Sequence, residues 1–318
     1  MKFDMIESNQ IETSPIDFWG IGVQKCGTTW LHFQLKSIPK FSMLPVKEIH
    51  YFDRSKNYSS PNKLIENSLN KRLTDPKWTS DALSNISNNL EKKKFKKVSF
   101  LLKYYFSNYN DNWYLSLFEE LKGYKGEITP SYCILKKSDI LKMYNLSPQA
   151  KIVLMVRNPI DRAWSHFKME SENKKHFSYE NLTNEDLLKF LTAEKQVLRS
   201  DYNQIIKNYS EVFPKKQIII GFFDAIIDAP HSLIFEVANF IGKVSQKNIK
   251  NKVNPQAINK SKSIKMPPQI EAFLKEFYYS QIKFLAQNHG GYFNTWLEKT
   301  YGEKSNNSTL PSPTLRLT

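Results

Sequence analysis

The chain has 318 residues, 40% of them hydrophobic, with 21 Phe, 16 Tyr and 6 Trp. That is enough apolar material for one sizeable globular core and excludes a disordered scaffold. A formal charge of +15 favours anionic partners, whether nucleic acid, an acidic membrane surface or a phosphorylated or sulfated small molecule, although a lysine-rich solvated surface would give the same number.

Residues 1–17 form a polar N-terminal extension carrying Asp4, Glu7 and Glu12, without the apolar stretch of a signal peptide. Phe18–Gly22 (FWGIG), the polar turn Val23–Thr29 and the apolar positions Trp30, Leu31, Phe33 and Leu35 read as strand, tight loop and helix. Residues 55–97 are rich in Asn, Ser and Lys and close on EKKKFKK; they predict an inserted, surface-exposed helical region. Aromatics return over Val98–Phe118, which predicts one or two helices packed on the core. Gly126–Thr129 is a short extended piece before Pro130.

Lys151–Arg157 (KIVLMVR) is a continuous apolar run of the kind found in strands buried on both faces, ended by Asn158-Pro159. A helix follows over Ile160–Glu170, with Pro159 near its first turn. Helices are predicted over Glu185–Arg199, Tyr202–Val212, Ser232–Ile241 and Ile270–Ala286, and a further strand over Gln217–Phe223. The polar tail 305–318, with two prolines, reads as disordered. Strands alternating with helices predict one α/β domain over 18–304, with a parallel sheet covered by helices on both sides. No apolar run reaches the roughly 18 residues that span a bilayer. The two cysteines, Cys26 and Cys133, are too far apart in sequence for a disulfide framework or a zinc site and read as free thiols in a reducing compartment.

Three segments carry chemistry. Gly22–Thr29 (GVQKCGTT) stands between a strand and a helix, so its amides and the helix N-terminus form an anion cradle. Gln24, Lys25, Cys26, Gly27, Thr28 and Thr29 line that loop, with Lys25 adding a movable charge. It is not a Walker A loop, because Thr28 follows Gly27 directly and the lysine precedes the glycine; an ordinary strand-to-helix turn is the other reading. In KIVLMVRNPIDRAWSHF, Arg157 ends a buried strand, where ligands bind in open α/β sheets, and Ser165 follows on the next helix. Together they can clamp a phosphate, or serve as an ion-pairing arginine and a solvent-facing serine. In Lys47–Asp53 (KEIHYFD), an extended backbone would aim Glu48 and His50 the same way, placing a general base in a cleft; singly, such residues usually face solvent.

These motifs, in this order, resemble sulfotransferases that use 3′-phosphoadenosine 5′-phosphosulfate (PAPS), particularly the branch of the heparan sulfate sulfotransferases and their soluble bacterial relatives. GVQKCGTT is similar to that family's 5′-phosphosulfate loop and VRNPIDRAWSHF to its 3′-phosphate motif. KEIHYFD resembles the segment with the catalytic glutamate, GEITPSY a further family element, and INKSKSIK with the helix after it the C-terminal cofactor loop. The resemblance implies a P-loop-type three-layer fold and a reaction with PAPS, needing no metal and leaving 3′-phosphoadenosine 5′-phosphate. It implies that Lys25 stabilises the leaving group and that Gly27, Thr28 and Thr29 hold the 5′-phosphate. Arg157 and Ser165 would hold the 3′-phosphate, Trp30 would stack on adenine, and Glu48 would be the base with His50 assisting. Lys260, Ser261 and Lys262 would close over the cofactor. Two positions depart from the pattern: Ile128 stands where a lysine is common, and Lys262-Ser263-Ile264 replaces Lys-Gly-Arg. The acceptor would be a hydroxyl or amine, such as that of a glycan, and a chain without a membrane anchor would work in the cytoplasm. A P-loop kinase, with Asp224 after a Walker B-like strand, and a non-catalytic nucleic-acid binder are the competing readings.

Overall fold

The computed structural model describes residues 15–58, 65–173, 179–249 and 264–317. Six strands form one sheet: β1 (Phe18–Gly22), β2 (Phe41–Met43), β3 (Tyr124–Ile128), β4 (Lys151–Val156), β5 (Ile218–Phe222) and β6 (Thr314–Arg316), in the order β2-β3-β1-β4-β5-β6. The first five run parallel and β6 is antiparallel to β5. β1 and β5 are buried at every position, and β4 at every position after Lys151, as apolar runs in a sheet covered on both faces require.

The helices, in chain order, are α1 (Thr28–Ser37), α2 (Leu69–Leu73), α3 (Pro76–Glu91), α4 (Phe95–Tyr105), α5 (Asp111–Ser116), α6 (Lys137–Leu146) and α7 (Pro159–Asn173). They continue with α8 (Asn184–Leu191), α9 (Glu194–Ser200), α10 (Tyr202–Ser210), α11 (Phe223–Asp228), α12 (Pro230–Ile241), α13 (Pro268–His289) and α14 (Tyr292–Tyr301). Side chains start the helices: Asp75 caps α3 by accepting from the amides of Lys77 and Trp78, and Asn158 accepts from the Ile160 amide ahead of α7, where Pro159 is first in the helix as its place in the sequence predicts.

This is the mostly parallel α/β architecture the alternation predicts. Three local expectations change. The single helix expected over Glu185–Arg199 is two, α8 and α9, broken at Thr192-Ala193. The break turns Gln196 and Ser200 toward the fully buried Arg162, whose guanidinium donates to Ser200 Oγ (2.7 Å), Gln196 Oε1 (2.8 Å) and the Gln196 carbonyl (3.1 Å). A cation at 0% exposure must have such acceptors, and this outweighs helix continuity.

The core begins before Phe18. Ile16 is buried, its carbonyl accepts from Ser147 Oγ at 2.6 Å, and Asp17 bonds Lys125 and Lys151 through its backbone. The tail expected to be disordered supplies β6: Ile219, Ile220 and Gly221 pair with Arg316, Leu315 and Thr314, and Leu317 is buried. The composition of the tail is polar, but β5 is apolar and would otherwise present an unpaired edge. The two prolines precede the paired residues, where a missing N–H costs no ladder bond.

Deleting residues 311–318 removes this ladder and the burial of Leu317 and is expected to destabilise the protein by roughly 2–4 kcal/mol. Urea unfolding measures this; a midpoint equal to that of the full chain would mean the tail does not pair.

Candidate active site

All the candidate residues that the structure describes lie past the C-terminal ends of parallel strands. Lys25 follows β1, Glu48 and His50 follow β2, and Arg157 and Ser165 follow β4; Ser131, after β3, and Phe223, after β5, stand at the same end. β1 sits between β3 and β4, and the chain crosses from one side of β1 to the other between those two strands, which opens a crevice at the end of β1.

The loop after β1 is tied down from within. Val23 N–H bonds the Met155 carbonyl at 2.7 Å, and Cys26 N–H bonds the Val23 carbonyl at 3.1 Å. Gly27 begins α1 at φ 85°, and a Cβ there would lie 2.3 Å from Ile226 Cδ1, so only glycine fits. No side chain caps α1 and no acid occupies its first turn, an arrangement that suits an anion at its leading amides. Thr28 is buried and Thr29 half-buried at this turn.

Lys25 and Arg157 share this end of the sheet. Burial, reinforced by repulsion from Arg157, holds the Lys25 ammonium below its ordinary pKa. The Arg157 guanidinium stacks 4.3 Å from the Phe223 ring centre, and its carbonyl accepts from Tyr202 OH at 2.6 Å. Two cations gathered in this way are a fit for a polyanionic ligand, which relieves both. Ser165 is buried on α7, 7% exposed.

The segment after β2 is not the extended backbone that KEIHYFD predicts. Glu48 and His50 adopt φ 61° and 54°, left-handed conformations costing about 1–2 kcal/mol each for residues with a Cβ. Buried groups fix the residues between and after them. Ile49 N–H bonds Glu127 Oε2 at 3.2 Å, the Ile49 carbonyl accepts from Arg54 at 3.1 Å, and Tyr51 N–H bonds Tyr132 OH at 2.8 Å. Glu127 is 2% exposed and also accepts from Tyr114 OH (2.5 Å), Thr129 Oγ1 (2.7 Å) and Tyr132 OH (3.0 Å).

Held in this way, Glu48 and His50 do converge. Lys47 Nζ donates to Thr29 Oγ1 at 2.7 Å and pairs with Glu48 Oε1 at 2.7 Å. His50 Nε2 lies 3.7 Å from Glu48 Oε2, while His50 Nδ1 lies 2.7 Å from the buried Asp53 carboxylate, which Ser131 Oγ also contacts. A single polar chain thus runs from Thr29, in the turn after β1, through Lys47, Glu48 and His50 to Asp53. Burial works against charge on His50, but the hydrogen bonds to Asp53 and Glu48 outweigh it and bring its pKa to about 9. Burial likewise opposes charge on Glu48, and His50 and Lys47 outweigh it, leaving that carboxyl below its ordinary value. Glu48 is therefore an ionised carboxylate at neutral pH and His50 an imidazolium, which cannot itself take a proton.

Other sequence assignments change in detail. Trp30 is 1% exposed within the main apolar cluster, so stacking on a base would require the ring to be uncovered. The Cys26 thiol is buried 4.0 Å from Tyr202 OH, its pKa pushed up to about 11 by burial, which leaves its backbone as its contribution to the loop. Gln24 is half-buried in the same loop. Ile128 packs against Gly20 as a core residue. Asp224, the Walker B-like acid, accepts from Trp296 Nε1 at 3.1 Å. Lys260, Ser261 and Lys262 lie outside the described residues. Four further residues join the site, Lys47 and Asp53 from KEIHYFD and Ser131 and Glu127 from GEITPSY; both segments carry a sequence signal, but the pairings between them, made across 78 residues of chain, do not.

Among the described residues, no group of three or more His, Cys, Asp or Glu is arranged to hold a metal ion, and no helix is long and apolar enough to cross a membrane. His50 gains its partners on folding and its pKa rises from 6.5 to about 9. Its contribution to stability is thus fully present below about pH 6.5 and is lost as the pH climbs through about 9. The difference in unfolding free energy between wild type and His50→Gln is expected to shrink across that window, as followed by denaturant titration at a series of pH values. A difference independent of pH would show that His50 is neutral in the fold.

The chain matches the family described as "Sulfotransferase domain" over residues 15–275. No curated protein shows a significant match. Among solved structures, a sulfotransferase from Alicyclobacillus acidocaldarius is 20% identical, with TM-score 0.57 over 91% of this chain and 96% of that one. The sulfotransferase domain of the Synechococcus PCC 7002 olefin synthase is 15% identical, with TM-score 0.47 over 82% of this chain and 93% of that one. Sulfotransferase STF9 from Mycobacterium avium is 12% identical, with TM-score 0.43 over 83% and 76%. The first of these likenesses concerns the fold; the family match covers most of the sequence, and by it the chain belongs to the sulfotransferase family, transferases of sulfuryl groups.

Proposed function

We propose that the protein transfers the sulfuryl group of PAPS to a hydroxyl or amine of an acceptor, a carbohydrate or other small metabolite, with Glu48 as the general base. The observation that carries this reading is the bridge made by Lys47, which joins the anion loop at Thr29 to the carboxylate of Glu48. The group that leaves and the group that takes the proton must sit on opposite sides of one transferred atom, and this bridge sets the two sides next to each other.

PAPS, when bound, supplies an activated sulfuryl group on a nucleotide bearing 5′- and 3′-phosphates. The protein's part is positioning and charge, as in phosphoryl transfer, where a loose transition state asks for little covalent help. Lys25, with Thr28, Thr29 and the first amides of α1, meets the charge that develops on the leaving oxygen. Arg157, over the ring of Phe223, and Ser165 would hold the second phosphate.

Glu48 accepts the acceptor proton. Its low pKa keeps it ionised, and with Lys47 on one oxygen and His50 near the other the carboxylate still has lone pairs to take the proton. His50 stays protonated, and its charge holds the second oxygen of Glu48 in place.

Glu48→Gln is expected to lower turnover by about 10²–10⁴ while binding of 3′-phosphoadenosine 5′-phosphate stays within a few-fold. Full activity in that variant would transfer the role of base to another group. The pH–rate profile of the wild type should hold its activity down to below pH 4.5, the ordinary glutamate value. Calorimetric titration with 3′-phosphoadenosine 5′-phosphate, beside ATP, tests the cofactor. Selective binding of the bisphosphate, weakened roughly 10–100-fold in Arg157→Ala, supports the assignment; preference for Mg-ATP would overturn it.

A further inference from the structure

The helical hairpin α3–α4 carries a surface that sulfuryl transfer does not account for. Five lysines, Lys92, Lys93, Lys94, Lys96 and Lys97, surround its turn, beside one acid, Glu91. The chain reverses there through Lys93 at φ 52°, so the lysines gather at the hairpin tip and are not spread along a helix face. In their midst Phe95 is 65% exposed and Leu90 45% exposed.

The apolar surface continues away from the tip. Leu83 and Leu90 stand seven apart on α3, hence on one face, and Leu83 is 55% exposed. With Leu73, Pro76, Thr79 and Ser87 it lines a shallow groove of apolar and small hydroxyl side chains. Of the twelve large hydrophobic residues exposed among the described ones, Leu73, Leu83, Leu90, Phe95 and Leu102 lie on this one hairpin region, so the exposure is concentrated. The inner face of the hairpin is held by Ile86, Val98 and Leu101, on which Val46 packs, next to Lys47 and Glu48 in sequence.

We propose that this hairpin is a docking surface for an anionic lipid bilayer, the five lysines engaging phosphate headgroups while Phe95 and Leu90 enter the interface. A cationic cluster beside exposed apolar side chains matches a surface that is acidic outside and apolar beneath. A fully hydrated polyanion satisfies the lysines but gives Phe95, Leu90 and Leu83 nothing to bury against. Because Val46 rests on the same hairpin, docking brings the segment carrying Glu48 toward the bilayer. The inference stands on the hairpin alone and does not depend on the assignment of PAPS or of Glu48.

The test uses the full chain with vesicles of phosphatidylcholine alone and of phosphatidylcholine mixed with phosphatidylglycerol, read by co-sedimentation. Binding is expected only to the mixed vesicles and should weaken as salt is raised. Lys92→Gln, Lys93→Gln and Lys94→Gln together should lower partitioning about a hundredfold, roughly fivefold per lysine. Phe95→Ser should lower it about tenfold at unchanged charge. All four positions are exposed, so far-ultraviolet circular dichroism should be unchanged. The control, Lys216→Gln, Lys243→Gln and Lys247→Gln, removes the same charge from other exposed sites and should leave binding intact. An equal loss in the control would reduce the effect to net charge and overturn the proposal. So would binding to heparin or nucleic acid without vesicle binding, or self-association that Leu83→Ser abolishes in a chain that ignores vesicles.

Discussion

Glu127 is the interaction on which the site depends. A carboxylate at 2% exposure is costly unless donors surround it, and two tyrosines, a threonine and a backbone amide do so here. Burial still raises its pKa despite those donors. The amide belongs to Ile49, so the group that satisfies Glu127 is the backbone between Glu48 and His50. Through Tyr132 the same network reaches the amide of Tyr51. The left-handed turns at Glu48 and His50 persist because the surrounding core fixes the residues next to them, a form of strain that active sites commonly hold.

From that anchor the electrostatics sort into two halves. On the loop side, Lys25 and Arg157 are brought together at the end of the sheet with the uncapped start of α1; burial first, and Arg157 after it, lower the Lys25 pKa, and the arrangement favours a polyanion. On the other side, Glu48 and Asp53 bracket His50 and keep it charged. Lys47 belongs to both halves. The pKa values of Glu48 and His50 are pushed apart by one another and by Lys47 and Asp53, so that the carboxylate is left as the sole proton acceptor of the pair.

The sheet explains why these halves meet. Parallel strands deliver their C-terminal ends to one edge, and the change of direction around β1 opens the crevice there. The hairpin α3–α4, inserted between β2 and β3, adds to this edge without entering the sheet. Its inner residues continue the core through Val46, and its outer face carries the charge and apolar exposure noted above.

The sequence by itself determined the parallel α/β plan, because apolar runs such as KIVLMV and IIIGF can be satisfied only by burial on both faces. It also determined the strand–loop–helix turn at Gly22–Thr29, since a glycine between a strand and a helix has a local meaning, and it brought Arg157 to a strand end. Only the tertiary structure decided what contacts across the sheet impose. It gave β6 to a polar tail because β5 needed an edge partner, and it split a helix to satisfy Arg162. It buried Trp30 and charged His50 through Asp53. It also placed Lys47 between Thr29 and Glu48. The physical reason is range: local propensity and strand burial are written in neighbouring residues, whereas the partners of a buried charge come from segments far apart in the chain that the sheet alone brings together.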